Sequence, residues 1–203
     1  MANSFRWVIQ AAMAAVLLGF SSSAQALQPD PAEKALLKAC EKAMCMIVSK
    51  REPKGGDLAC KLSKTWSKDQ IKDGVKKNQQ FNWSLGDTHC TLDVKIGRAT
   101  IINAMTKPDH VLEFGPHTVK CTAERDGKPT PINVSLSPKV TFNGGKAVSV
   151  LLAVKEIEAP GMIKTAVWSA ATLQDKVGMF QKGILKAINE FTGPKCTEIM
   201  AGK

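Results

Sequence analysis

Leu37, Cys40, Met44, Ile47 and Val48 recur at intervals of three and four, with charged residues between them. That is the period of a helix burying one face. Asp30 is placed to cap it, Pro31 suits its first position, and Glu33 completes a capping-box-like start. The stretch REPKGG, 51–56, ends it. Asp57 offers a cap to a second helix along which Leu58, Leu62 and Trp66 align. Ser67-Lys68-Asp69-Gln70 has the S-x-x-Q form of a further capping box, with Trp66 and Ile71 at the staple positions. A short third helix to about Lys77 is expected from it.

From Phe81 the period shortens to two. FNWSLGD, THCTLDVKI, GRATIINAM, HVLEFG, HTVKCTAER, INVSLS, KVTF and AVSVLLAVKEI read as successive strands, with one or two of them as loops. Turn signals at Gly86-Asp87, Lys107-Pro108-Asp109, Gly115-Pro116, Asp126-Gly127 and Asn143-Gly144-Gly145 separate them. Short links make antiparallel neighbours, so a meander of five to seven strands is expected. VSVLLAV lacks strict alternation and suits a central strand covered on both faces. After Pro160-Gly161, apolar residues from Ile163 through Val167, Val177, Phe180 and Ile184 to Phe191 return at helical spacing, up to a stop at Gly193-Pro194. A continuous helix of that length would reach about 45 Å, with Gly178 and Gly183 as the places where it bends. The fold class expected is α+β: helices in front, an antiparallel sheet, and a long C-terminal helix across it.

The chain opens differently. Arg6, an apolar run from Val8 to Phe20 and the Ala24-Gln25-Ala26 triplet form a secretory signal of residues 1–26. The run falls short of the roughly 20 residues a spanning helix needs. Residues 27–203 then form a single exported domain, periplasmic in a Gram-negative source and secreted otherwise.

Export sets the reading of the cysteines. All six, Cys40, Cys45, Cys60, Cys90, Cys121 and Cys196, follow the leader, and an even count in an oxidising compartment favours disulfides. Cys40 and Cys45 point about 140° apart on a helix, so they take different partners. No C-x-x-C motif or zinc-like spacing occurs. Cys90 and Cys121 each sit on the apolar face of a strand, which pairs them. A local helical hairpin pairs Cys45 with Cys60, leaving Cys40 for Cys196.

The chain carries 28 basic and 18 acidic side chains, a net charge of +10. Such an excess favours anionic partners. Lys61, Lys64, Lys68, Lys72 and Lys76 recur every three or four residues and are the candidate docking stripe for an acidic ligand or membrane surface. Nucleic acid is disfavoured, because aromatics are 5% of the chain and tyrosine is absent. The three histidines, His89, His110 and His117, lack metal-ligand spacing and a fixed acidic partner. No serine elbow, phosphate loop or dinucleotide motif occurs. Neither a metal, a cofactor nor catalysis is expected.

The reading that remains is a non-catalytic exported binding protein for an amphiphilic or anionic envelope ligand such as lipid. Its cavity would lie between the C-terminal helix (Val167, Val177, Phe180, Ile184) and the sheet (Val134, Leu136, Val148, Val150, Leu152). The alternative is a protein-interaction or envelope-maintenance factor anchored by Trp66, Trp83 and Trp168, and the least favoured reading is a hydrolase or redox enzyme of unfamiliar type, which would need a concave cluster of His, Asp or Glu.

Overall fold

The computed structural model describes residues 31–71, 85–178 and 181–202. The expected signal segment, the expected third helix beyond Ile71 with Lys72 and Lys76, Trp83 and Phe180 lie outside them. Helix α1, Pro31–Lys50, forms where the apolar period places it and buries Cys45, Ile47 and Val48.

The next element departs from expectation. Leu58–Trp66 is a strand, β1, not a helix. The spacing of four that aligns Leu58, Leu62 and Trp66 on a helix also puts them on one face of a strand, because four is a multiple of two. Pairing decides the matter. Strand β2, Thr88–Ile96, lies antiparallel to β1 and sets Ile96, Val94 and Leu92 opposite Leu58, Cys60 and Leu62. The capping box does form: Ser67 Oγ accepts from the Gln70 N–H at 3.3 Å and Gln70 Oε1 from the Ser67 N–H at 3.0 Å.

GRATIINAM is helix α2, Arg98–Thr106, rather than a strand. Ile101 and Ala104, three apart, become its buried face. Then follow β3 (Asp109–Glu113), β4 (His117–Arg125), β5 (Lys128–Leu136), β6 (Lys139–Asn143), β7 (Lys146–Leu151) and β8 (Val154–Glu158). The eight strands make two antiparallel sheets rather than one meander, ordered β1-β2-β4-β5-β8 and β3-β6-β7. The VSVLLAVKEI run is divided between them. At the switch Ala153 takes a φ of 49°, and Asp175 accepts the N–H groups of Leu152 and Ala153 at 2.7 and 3.0 Å. Its first half, β7, is an edge strand rather than a central one.

The C-terminal helix is broken. Helix α3, Gly161–Val177, ends at Gly178, whose φ of 63° suits glycine. Helix α4, Gln181–Glu190, follows. Gly193-Pro194 does not stop it. A π turn over Phe191–Lys195 takes up the proline, which has no N–H to donate, and leads into α5, Cys196–Met200.

Two apolar clusters result. The larger joins α1, α2, α5, the ends of β1 and β2, and the inner face of the three-stranded sheet. The smaller gathers Leu85, Ala123, Ile132 and Ile163 where α3 meets the five-stranded sheet.

Three disulfides cross the fold: Cys40–Cys60, Cys45–Cys196 and Cys90–Cys121. The last matches the strand-face expectation, and Cys40 and Cys45 do diverge. Their partners are exchanged relative to the expected Cys45–Cys60 and Cys40–Cys196. The hairpin that would bring Cys60 to Cys45 is absent, since Cys60 sits on a strand. Cys45 lies on the buried face of α1 and meets Cys196 inside the core, where the two are 0% and 1% exposed. Half-buried Cys40 reaches the edge strand instead.

Loop size ranks these bridges. Cys45–Cys196 spans 151 residues and Cys40–Cys60 spans 20, which the chain-entropy model values at about 5 and about 3 kcal/mol. Urea unfolding of the C45A/C196A and C40A/C60A variants is expected to show the larger loss for the first pair. Equal losses would contradict the ranking.

Candidate functional site

The inner face of the small sheet is apolar because its strands alternate in step. Leu112 stands opposite Val140, and His110 opposite Phe142. Helix α2 brings Ile101, Ala104 and Met105 to this face. Helix α4 brings Gly183, Ile184, Ala187 and Ile188, again at intervals of three and four. Met44 and Val48 of α1 and Phe191 of the π turn complete the walls of a pocket of about 480 Å³. That volume lies within the roughly 300–1,000 Å³ of small-molecule sites.

The pocket offers almost no polar contact. Thr192 is its one hydroxyl-bearing wall residue, and that hydroxyl donates to Ile188 O at 3.0 Å. The Lys195 ammonium lies 5.6 Å from the ring centre of Phe191, but it is paired with Glu41. His110, on the same strand face as Leu112, has a buried Nε2 without a hydrogen-bond partner among the described residues.

One side chain sets the position of the α4 wall. Asn189 accepts the N–H of Ala147 at 2.8 Å and donates to its carbonyl at 3.0 Å, clamping α4 to the outer edge of β7. At the opposite edge, Lys139 Nζ of β6 donates to Glu113 Oε1 of β3 at 2.6 Å. That hydrogen bond and the lysine charge hold the Glu113 carboxyl below its ordinary value.

Of the expected cavity residues, Ile184 lines this pocket. Val134 and Val167 pack in the smaller cluster under α3. Leu136 and Leu152 are half-buried near the sheet switch. Val150 is buried in the larger core, and Val148 is 48% exposed, at the register shift between β6 and β7. The Val177 side chain and Phe180 lie outside the described residues. The expected cavity under a continuous helix is thus replaced by one under α4 alone, because a second sheet exists to receive it.

The described lysines of the expected stripe, Lys61, Lys64 and Lys68, do not share one helix. Lys61 and Lys64 alternate to opposite faces of β1, facing Asp93 and Cys90 on β2. Lys68 follows in the next turn, where its N–H bonds Asp87 at 2.8 Å. None of the three lines the pocket. Trp66 and Trp168 are 37% and 46% exposed. His117 Nε2 accepts the Lys95 N–H at 3.3 Å. His89 has a fixed acidic neighbour after all: its Nδ1 lies 3.3 Å from Glu33 Oε1. Sequence spacing could not bring that carboxylate forward, because α1 delivers it across the edge of the large sheet. Among the described residues no group of three or more His, Cys, Asp or Glu is placed to hold a metal ion.

Replacing Asn189 by alanine removes both bonds to Ala147 and is expected to cost about 1–3 kcal/mol, with faster exchange of the Ala147 amide by NMR. For Glu113 the folded pKa is depressed. The pair therefore contributes above the unfolded value and is lost as pH falls through the lowered one. A carboxyl titration should show a midpoint below that of an ordinary glutamate, returning upward in Lys139→Ala. No family model matches the chain, and the search found no match among the curated proteins or the solved structures either.

Proposed function

We propose that this chain is an exported binding protein whose pocket receives the hydrocarbon part of an amphiphile. The carrying observation is the wall composition: α1, α2, α4, the π turn and the small sheet converge on one hollow, and its single hydroxyl is already bonded. Such a surface selects by desolvation and dispersion. A ligand that needed several hydrogen bonds would leave them unmade there, at about 1–3 kcal/mol each. Three disulfides support folding in an oxidising compartment. No described helix is long and apolar enough to cross a membrane. The net charge of +10 supplies a general attraction for acidic headgroups, while the pocket itself accounts for the tail.

A second reading, a protein-interaction surface, draws on α3. Met162 is 73% exposed and Trp168 46% exposed on that helix, and Trp168 borders a groove of about 440 Å³ beside β8.

Binding of a fluorescent long-chain fatty acid tests the first reading. Ala187 is an exposed wall residue, so Ala187→Trp should fill the pocket without disturbing the core. It is expected to weaken binding by about tenfold or more, equivalent to 1.4 kcal/mol. Trp168→Ala should leave fatty-acid binding unchanged. Undiminished binding in Ala187→Trp would refute the pocket as the site.

A further inference from the structure

A second constellation lies away from the pocket, on the polar face of the large sheet. Thr65 stands directly opposite His89 across β1 and β2, and Ser63 is two residue pairs further along on the same face, opposite Thr91. Glu33 descends from α1 onto the same face and is 5% exposed. Its Oε2 accepts the Thr65 N–H at 2.9 Å, and its Oε1 accepts the Thr65 hydroxyl at 2.5 Å.

These contacts fix the histidine tautomer. The single hydroxyl hydrogen of Thr65 is committed to Glu33, so Thr65 Oγ1 can only accept from His89 Nδ1, 2.9 Å away. Nδ1 therefore carries the ring proton. Nε2 keeps a lone pair, and the atom it faces is Ser63 Oγ at 3.4 Å. The Glu33 carboxylate lies 3.3 Å from Nδ1, on the side of the ring that carries this proton. Exposure grades the right way for chemistry, with the His89 side chain 35% exposed and Glu33 6%.

The strand adds one more group. The Thr65 N–H points away from β2 to reach Glu33. In an antiparallel ladder the residue two positions away shares that direction. The Ser63 N–H therefore leaves the same edge of the sheet, as a donor beside its own hydroxyl.

We propose that Ser63, His89 and Glu33 form a nucleophile, general base and carboxylate for acyl transfer from carboxylic esters to water. The roles follow the geometry by which such triads are recognised on unrelated folds. Ser63 Oγ attacks the ester carbonyl carbon as its proton passes to His89 Nε2. The bond to the leaving oxygen breaks, and that oxygen takes the proton from Nε2. Water then adds to the acyl-serine, giving its proton to Nε2. Ser63 Oγ leaves with that proton, and the carboxylic acid is released. Ser63 and His89 are the catalytic residues, and Thr65 and Glu33 are positioning residues.

The test begins with the unaltered full chain and a fluorophosphonate probe, followed by peptide mass spectrometry. The expected result is one phosphonyl group, on Ser63, with the labelling rate falling about 10²-fold or more in His89→Gln. Hydrolysis of p-nitrophenyl butyrate should vanish in Ser63→Ala. Thr65→Val should lower the rate and move the pH profile, and Thr65→Ser should restore both. Labelling spread over several serines, or Ser63 labelled equally fast in His89→Gln, would overturn the proposal. So would hydrolysis surviving in Ser63→Ala.

Discussion

The bond between Cys45 and Cys196 ties the first helix to the last across 151 residues of chain. Both sulfurs are in the larger core, beside Ile47, Val48 and Leu58. One turn along α1 from Cys45 stands Val48, with Met44 as its neighbour, and both are pocket walls. Four and five residues before Cys196 come Thr192 and Phe191, also walls. The bridge therefore holds two of the walls at a fixed separation. The hollow between them persists because the side chains around it cannot collapse without moving a covalently fixed backbone. Well-packed interiors leave few such voids, so one of this size needs a rigid frame.

The frame has a second requirement, that the strands separate into two sheets. A single meander would have left α3 and α4 lying on one surface, with every apolar face covered. The turn at Ala153 and the carboxylate of Asp175 divert the chain from the small sheet to the large one. Gly178 then lets α4 take its own direction. The small sheet, α2 and α4 so become a unit with its own inner face, and the pocket is its unfilled part.

Much of this was legible from period and turn chemistry. The first helix, the Ser67 capping box, most strands and the Cys90–Cys121 bridge all follow from local pattern. The failures share a cause. LACKLSKTW satisfies both helical and strand spacing, and the choice fell to its neighbour β2, which offered a matching row of apolar residues. GRATIINAM is too short for its period to be decisive, and it became helical where Ile101 and Ala104 found a core. Pro194 reads as a stop in any regular helix, but a π turn tolerates it. The pocket was the least legible feature, because α1, α2, α4, the π turn and the small sheet all supply its walls, and the sequence pattern reads α2 as a strand and α4 as part of one continuous helix. The Glu33–His89 contact was equally hidden, since it depends on how α1 crosses the edge of a sheet.

Asn189 has a consequence beyond placing a helix. A β-sheet border is a template onto which another chain can add, and proteins blunt such borders in order to remain separate molecules. With the Ala147 N–H and carbonyl both occupied by a side-chain amide, that stretch of β7 has nothing left to offer an incoming strand. On β1, Glu33 occupies the outward N–H of Thr65. Both contacts remove backbone groups from sheet borders that could otherwise seed fibril growth.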